Sequence, residues 1–159
     1  MRPIRANEAS AARALIETIL AEYNLSPDPA GADADLVDPG AYYAERGGVF
    51  WVLLDRQTII ATVGVIPLPG RVVELRKMYL QASYRGSGQG RRLLQHAMDW
   101  ARDRGFRTLR LESASCLKEA VALYESTGFR KVKVCNSVCR CDLVMELDLT
   151  ASATGPQKE

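Results

Sequence analysis

The chain has 159 residues, 47% apolar and 25% charged, a composition that fits one ordinary globular core and excludes a collagen, a coiled-coil rod or a wholly disordered chain. Its 21 Lys and Arg against 19 Asp and Glu leave a net charge of +2, too balanced for a nucleic-acid binder that works by bulk phosphate neutralisation. Any anion site must be local, and no apolar run approaches the roughly 18 residues a membrane helix needs.

Met1 to Ala6 reads as a short strand, and Asn7 is placed to cap a helix from about Glu8 to Tyr23. There Ala12, Leu15, Ile16, Ile19 and Leu20 recur at helical spacing. Arg13, Glu17 and Glu22 interrupt this stretch, so it holds no signal-peptide core, and a cytoplasmic location is expected. Ser26 to Gly40 carries three Pro, two Gly and four Asp and reads as a long loop with room for a helical turn; 41–46 reads as helical. Val49–Leu54 and Thr58–Leu68 form a hairpin-like pair of strands across Asp55 to Gln57, and Val72–Gln81 continues as a third strand.

A Gly-rich loop, Arg85 to Gly90, opens a helix marked by Leu93, Leu94, Ala97, Met98 and Ala101 and ended by Gly105. Thr108–Ser113 alternates as a strand, and Leu117, Ala120, Val121 and Tyr124 lie on one face of a helix closing at Gly128. Two strands follow, roughly Arg130–Cys135 and Cys141–Leu149. The expectation is a single α/β (α+β) domain over 1–149, a mixed, mostly antiparallel sheet of six to seven strands flanked by helices, with a flexible tail over 150–159.

The chemistry concentrates at the Gly-rich loop. Between a strand and a helix start, backbone N–H groups lack intrahelical partners and the helix dipole is positive, so anions bind readily. From Arg71 to Arg92 there are six basic residues and one acid, Glu74, a local +5 in a chain of net +2. A Walker loop needs Gly-Lys-Ser/Thr at the helix entry, but Gly90 is followed by Arg91 and Arg92. A dinucleotide fingerprint starting at Gly86 needs Gly at 91, which is Arg. A tight turn with no ligand is the plain alternative.

Arg85, Gly88 and Gly90 match in register the Arg/Gln-x-x-Gly-x-Gly/Ala signature of the GNAT superfamily of acetyl-CoA-dependent N-acetyltransferases, which this arrangement resembles. The resemblance extends to Val72–Leu80 upstream and Leu123–Phe129 downstream, with the element order fitting from Met1 to Leu149. It implies that Arg85, Gly86, Ser87, Gly88, Gly90 and Arg91 bind the pyrophosphate of CoA. The pantetheine arm would run along the strand through Met78, Tyr79 and Leu80, held by backbone groups, with the Met78 N–H facing the acetyl oxygen.

An amine of pKa near 10.4 is unprotonated at pH 7 in only about one molecule in a few thousand, so acyl transfer needs a base or a proton path. Glu74 matches the position of the glutamate base in some such enzymes; the alternatives are a bare ion pair with Arg76 and proton loss through water. Tyr124 corresponds to the tyrosine that protonates the departing thiolate in many relatives, although it also lies on the apolar face of its helix. Many relatives carry Asn where this chain has Leu117, a departure for which Ser113 or Ser115 is the candidate substitute.

Other features point elsewhere. Cys135, Cys139 and Cys141 lack paired C-x₂-C knuckles, and the sole histidine, His96, lies on another helix, so no metal is expected and the thiols read as reduced. Trp51 and Trp100 read as core or interface aromatics. Seven acids and no Lys or Arg between Ala14 and Glu45 suggest a cationic amine acceptor, with a solvated acidic loop as the alternative. The expected function is acetyl transfer from acetyl-CoA to an amine of a small molecule or peptide. The alternatives are a non-catalytic acyl-CoA-binding sensor and, more remotely, a nucleotide-binding protein. No nucleic-acid or membrane partner is expected; dimers are common among similar proteins, so a homodimer is one expectation.

Overall fold

The computed structural model describes residues 1–132 and 141–150. Its strands are β1 (Arg2–Pro3), β2 (Val49–Asp55), β3 (Thr58–Leu68), β4 (Val72–Leu80), β5 (Thr108–Ser113), β6 (Arg130–Lys131) and β7 (Leu143–Asp148). They form one sheet ordered β1-β2-β3-β4-β5-β7-β6. The β4–β5 pair is parallel and the others are antiparallel, the mixed, mostly antiparallel sheet expected from the sequence.

The helices α1 (Ala9–Glu22), α2 (Pro39–Ala44), α3 (Gln89–Asp103) and α4 (Lys118–Thr127) cover the two faces. Alternation along the strands builds two cores. Trp51, Val63, Val65, Val73, Leu75, Leu109 and Leu111 face α3 and α4, while Phe50, Val52, Ile59 and Ile66 face α1 and α2. β3 is buried on both sides from Ile59 to Ile66, which explains its nearly continuous apolar sequence.

Three local readings change. Asn7 does not cap α1: it lies in a 3₁₀ turn, Ala6–Glu8, where the Glu8 carboxylate accepts the Arg5 N–H at 2.9 Å and pairs with Arg2. The longer acidic side chain closes the turn from its far end, and β1 is shortened to two residues. α2 starts at Pro39 instead of 41 because the Asp38 carboxylate accepts the Ala41 N–H at 3.0 Å and Pro39 sits in the first turn. The loop before it holds a second 3₁₀ turn, Ala34–Leu36. The end of the expected Arg130–Cys135 strand, Cys139, and all but the first residue of the 150–159 tail lie outside the described residues.

β4 and β5 pair only from Val72↔Thr108 to Leu75↔Leu111 and then part, although both strands continue. The parting coincides with an irregularity on the other edge of β4. The β3–β4 register shifts between Thr62 and Gly64, so Lys77 and Met78 together oppose Val63, a β-bulge with Lys77 at φ 52°. The Thr62 hydroxyl donates to the Lys77 carbonyl at 2.7 Å and pins the bulge. Beyond it, the β5 side of β4 has no partner strand among the described residues.

Candidate active site

A cavity of about 310 Å³ fills the opening where β4 leaves β5. Its walls combine Met78, Tyr79 and Leu80 of β4, Arg85, Gly86, Gly88, Gly90 and Arg91 of the loop and α3 start, Ile19 and Tyr23 at the end of α1, and Leu117, Glu119, Ala120 and Leu123 of α4. Eight of the residues singled out from sequence thus line one space. Glu74, Ser87 and Tyr124 do not line it.

The loop is shaped by backbone demands. Gly86 (φ 74°) and Gly88 (φ 82°) adopt left-handed conformations, and a Cβ at either would meet nothing within 4 Å, so conformation alone calls for glycine there. Gly90 is different: a Cβ there would come within 3.3 Å of Leu123, so it lets α3 and α4 approach. Arg92 N–H bonds Gly88 carbonyl at 3.1 Å, so Gln89, Gly90 and Arg91 supply the N–H groups of the helix start that precede that first bond. Such a start, with positive-φ glycines before it, presents N–H donors to an anion.

Arg85 is held from three sides. Its Nε donates to the Leu80 carbonyl at 3.0 Å, and its guanidinium pairs with Glu22 at 2.7 Å and donates to the Tyr23 hydroxyl at 3.3 Å. The Leu80 carbonyl is therefore engaged by a side chain. Tyr23 in turn donates to Glu119 at 3.1 Å, tying α1 to α4 beside the cavity. Arg91 reaches Ser126 at 3.4 Å, and the Ser87 hydroxyl turns back to the Tyr84 carbonyl at 2.6 Å. Leu117 makes the wall apolar where the resemblance leads one to look for an amide. Neither suggested substitute lines the cavity: Ser113 is buried, and Ser115 bonds Asp142 through both N–H (2.7 Å) and hydroxyl (2.6 Å).

Glu74 lies on β4 opposite Ile66 of β3 and Arg110 of β5, one residue before the strands part. Its side chain is 18% exposed, 3.6 Å from Arg76. Burial raises its pKa above the ordinary carboxylate value, Glu112 adds to the rise, and Arg76, Arg110 and Lys77 oppose it. Tyr124 is buried against Phe129, ring centroids 5.6 Å apart. Burial, with a further push from Tyr79, raises its hydroxyl well above the usual tyrosine pKa and keeps it protonated.

Of the seven acids before β2, four are engaged within the loop and its surroundings. Asp33 is buried 2.8 Å from Lys77 Nζ; Asp35 is buried, accepts the Tyr43 hydroxyl at 2.7 Å, and lies 3.5 Å from Arg76 and 3.4 Å from Lys77. Asp38 caps α2, and Asp28 accepts the N–H groups of Gly31 and Ala32. These four carboxylates are held by internal cations and loop amides. His96 packs edge-on against Trp51 (4.8 Å), and burial lowers its pKa; Trp51 meets Trp100 in the same manner.

Among the described residues no group of three or more His, Cys, Asp or Glu has the placement to hold a metal, and no helix is long and apolar enough to cross a membrane. Of the walls, Ile19, Tyr23, Glu119, Ala120 and Leu123 escaped sequence reading as site residues. Ile19 and Ala120 carry only helical periodicity, which reports a buried face and not what it faces; Tyr23 and Glu119 carry no such signal.

Comparison with known proteins bears on this geometry directly. The chain is 32% identical over 157 residues to the uncharacterized N-acetyltransferase YjgM of Escherichia coli (strain K12), covering 94% of each. N-acetyltransferase 8 of Homo sapiens is 29% identical over 96 residues, 57% of this chain and 42% of that protein. Among solved structures, a GNAT-family acetyltransferase from Staphylococcus aureus Mu50 superposes with a TM-score of 0.86 at 22% identity, covering 93% of this chain and 97% of that one; it shows the shared fold. The Acetyltransferase (GNAT) family pattern matches residues 13–129, the span from α1 through the glycine loop to the end of α4. The chain therefore belongs to the GNAT family and is an acetyltransferase.

Proposed function

We propose that this acetyltransferase takes its acetyl group from acetyl-CoA and passes it directly to the amine of a small molecule or peptide. The observation that carries the reading is the cavity where β4 and β5 part, continuous from an unpaired strand edge to a helix start rich in N–H donors. The donor set fits the coenzyme's diphosphate: N–H groups of Gly86, Ser87, Gly88 and Gly90, with Arg91 adding charge. Met78, Tyr79 and Leu80 hold the extended arm, and the Met78 N–H polarises the acetyl oxygen. The bound thioester supplies the activated acyl group.

The chain supplies proton handling at two places. Glu74, more basic than an exposed carboxylate, accepts the amine proton directly or through water. Tyr124, held protonated by burial, is the donor toward the departing thiolate. Its burial and the placement of Glu74 outside the cavity wall favour one second reading, a sensor that binds acyl-CoA without turnover.

Free thiol release from acetyl-CoA across amines, amino acids and peptides tests both. The enzyme releases thiol with at least one acceptor, and Glu74→Gln lowers kcat by about 100-fold or more, with Tyr124→Phe also slower. The sensor is stabilised by acetyl-CoA yet releases none.

A further inference from the structure

We propose that Asp35 is a positioning residue for Glu74: by holding one side of the Arg76 guanidinium in the buried loop, it keeps Arg76 from closing fully on the Glu74 carboxylate. The inference rests on the reading of Glu74 as base.

Arg76 stands between two carboxylates. Its NH2 lies 3.5 Å from Asp35 Oδ2 and 3.4 Å from the Ala32 carbonyl, while its NH1 lies 3.6 Å from Glu74 Oε2. All three separations exceed the roughly 2.8 Å of a tight charge-assisted bond, the signature of a guanidinium divided between partners. Asp35 does not follow Arg76 outward: it is 1% exposed and anchored by the Tyr43 hydroxyl at 2.7 Å and Lys77 at 3.4 Å. Arg76, at 28%, is the more exposed member of the pair.

Other charged groups also act on Glu74. Arg110 and Glu112 approach from β5, and Arg110 is paired with Glu146 of β7 at 3.6 Å; Lys77 is committed to Asp33 and Ala32; β3 offers only Ile66 opposite. From α2 and the loop come Tyr43 and Asp35, which act on Arg76, as does Tyr42. Among these groups Arg76 is the one placed between Glu74 and the buried loop carboxylate, so Asp35 bears on Glu74 through it. Without the Asp35 charge Arg76 turns to Glu74 alone and the carboxylate loses basicity.

The test is the titration of the Glu74 side-chain carboxyl by carbon NMR, alongside the pH profile of kcat/KM, in the wild type and in Asp35→Asn and Arg76→Gln. Asparagine keeps an oxygen for the Tyr43 hydroxyl. Asp35→Asn is expected to lower the Glu74 midpoint and the acid limb of the profile by about half a pH unit or more, and Arg76→Gln to raise both. A simple loss of fold stability moves neither in opposite directions. A Glu74 midpoint that is unmoved or rises in Asp35→Asn overturns the inference. Should that variant not fold, an unmoved midpoint in Arg76→Gln overturns it. Glu74→Gln separates the two ideas: if the acid limb survives there, the base reading fails, while the carboxyl titrations still decide how Asp35 acts.

Discussion

Lys77 carries two costs at once, a backbone held at φ 52° and an ammonium side chain only 6% exposed. Both are met by one arrangement, in which the bulge turns the side chain toward the Ala32 carbonyl at 2.6 Å and Asp33 at 2.8 Å. Asp33 and Lys77 are 44 positions apart, so charge counting along the chain finds an uncompensated acidic stretch where the fold pairs acids with distant cations. Arg85 is legible because a motif fixes its place beside the cavity, and the same motif singles out Glu74, which lies outside the cavity wall; Asp35 is not, since nothing local distinguishes it from Asp28 or Asp38. A second residue-scale pair has a pH signature. Arg2 holds Glu8 at a pKa of about 2, below the ordinary 4.5, so the pair's contribution to stability is complete above the ordinary value and is lost as pH falls toward about 2. Urea midpoints measured from pH 6 to pH 2 are expected to fall more steeply for the wild type than for Glu8→Gln; parallel curves would show that Glu8 gains nothing on folding.

At the scale of elements, the strands and helices with strong periodicity lie where the sequence places them, α3 and β5 nearly residue for residue. Boundaries decided by a single side chain differ, as at α2 and the Glu8 turn, because several polar residues compete for one cap and only the folded geometry chooses. The parting of β4 from β5 has no local signal, since a bulge at a lysine looks like ordinary strand; only the resemblance implies an open edge at Met78 to Leu80. Gly64, in contrast, shows why a small residue sits mid-strand. A Cβ there would stand 2.3 Å from the Tyr43 ring, so α2 rests directly on β3 and the Tyr43 hydroxyl reaches Asp35. Gly64→Ala is expected to destabilise the fold by about 1–3 kcal/mol and to lower activity as Tyr43 shifts. Chemical denaturation and turnover measured together check this, and an unchanged midpoint would mean that the α2 region yields freely.

At the scale of the whole molecule, two cores on opposite faces of one sheet hold the halves together, and the sheet is fully laddered only up to Leu75 and Leu111. Adding CoA is expected to slow hydrogen exchange at Met78 to Leu80 and at Gly86 to Arg91 while leaving β2 and β3 unchanged. Uniform slowing, or none, would place the coenzyme elsewhere. If the local pattern holds, the chain is folded with a rung left out, and the missing rung arrives as a reactant. Each turnover would then stiffen and loosen that edge and its loop in step with the chemistry, while the rest of the scaffold stays as it is.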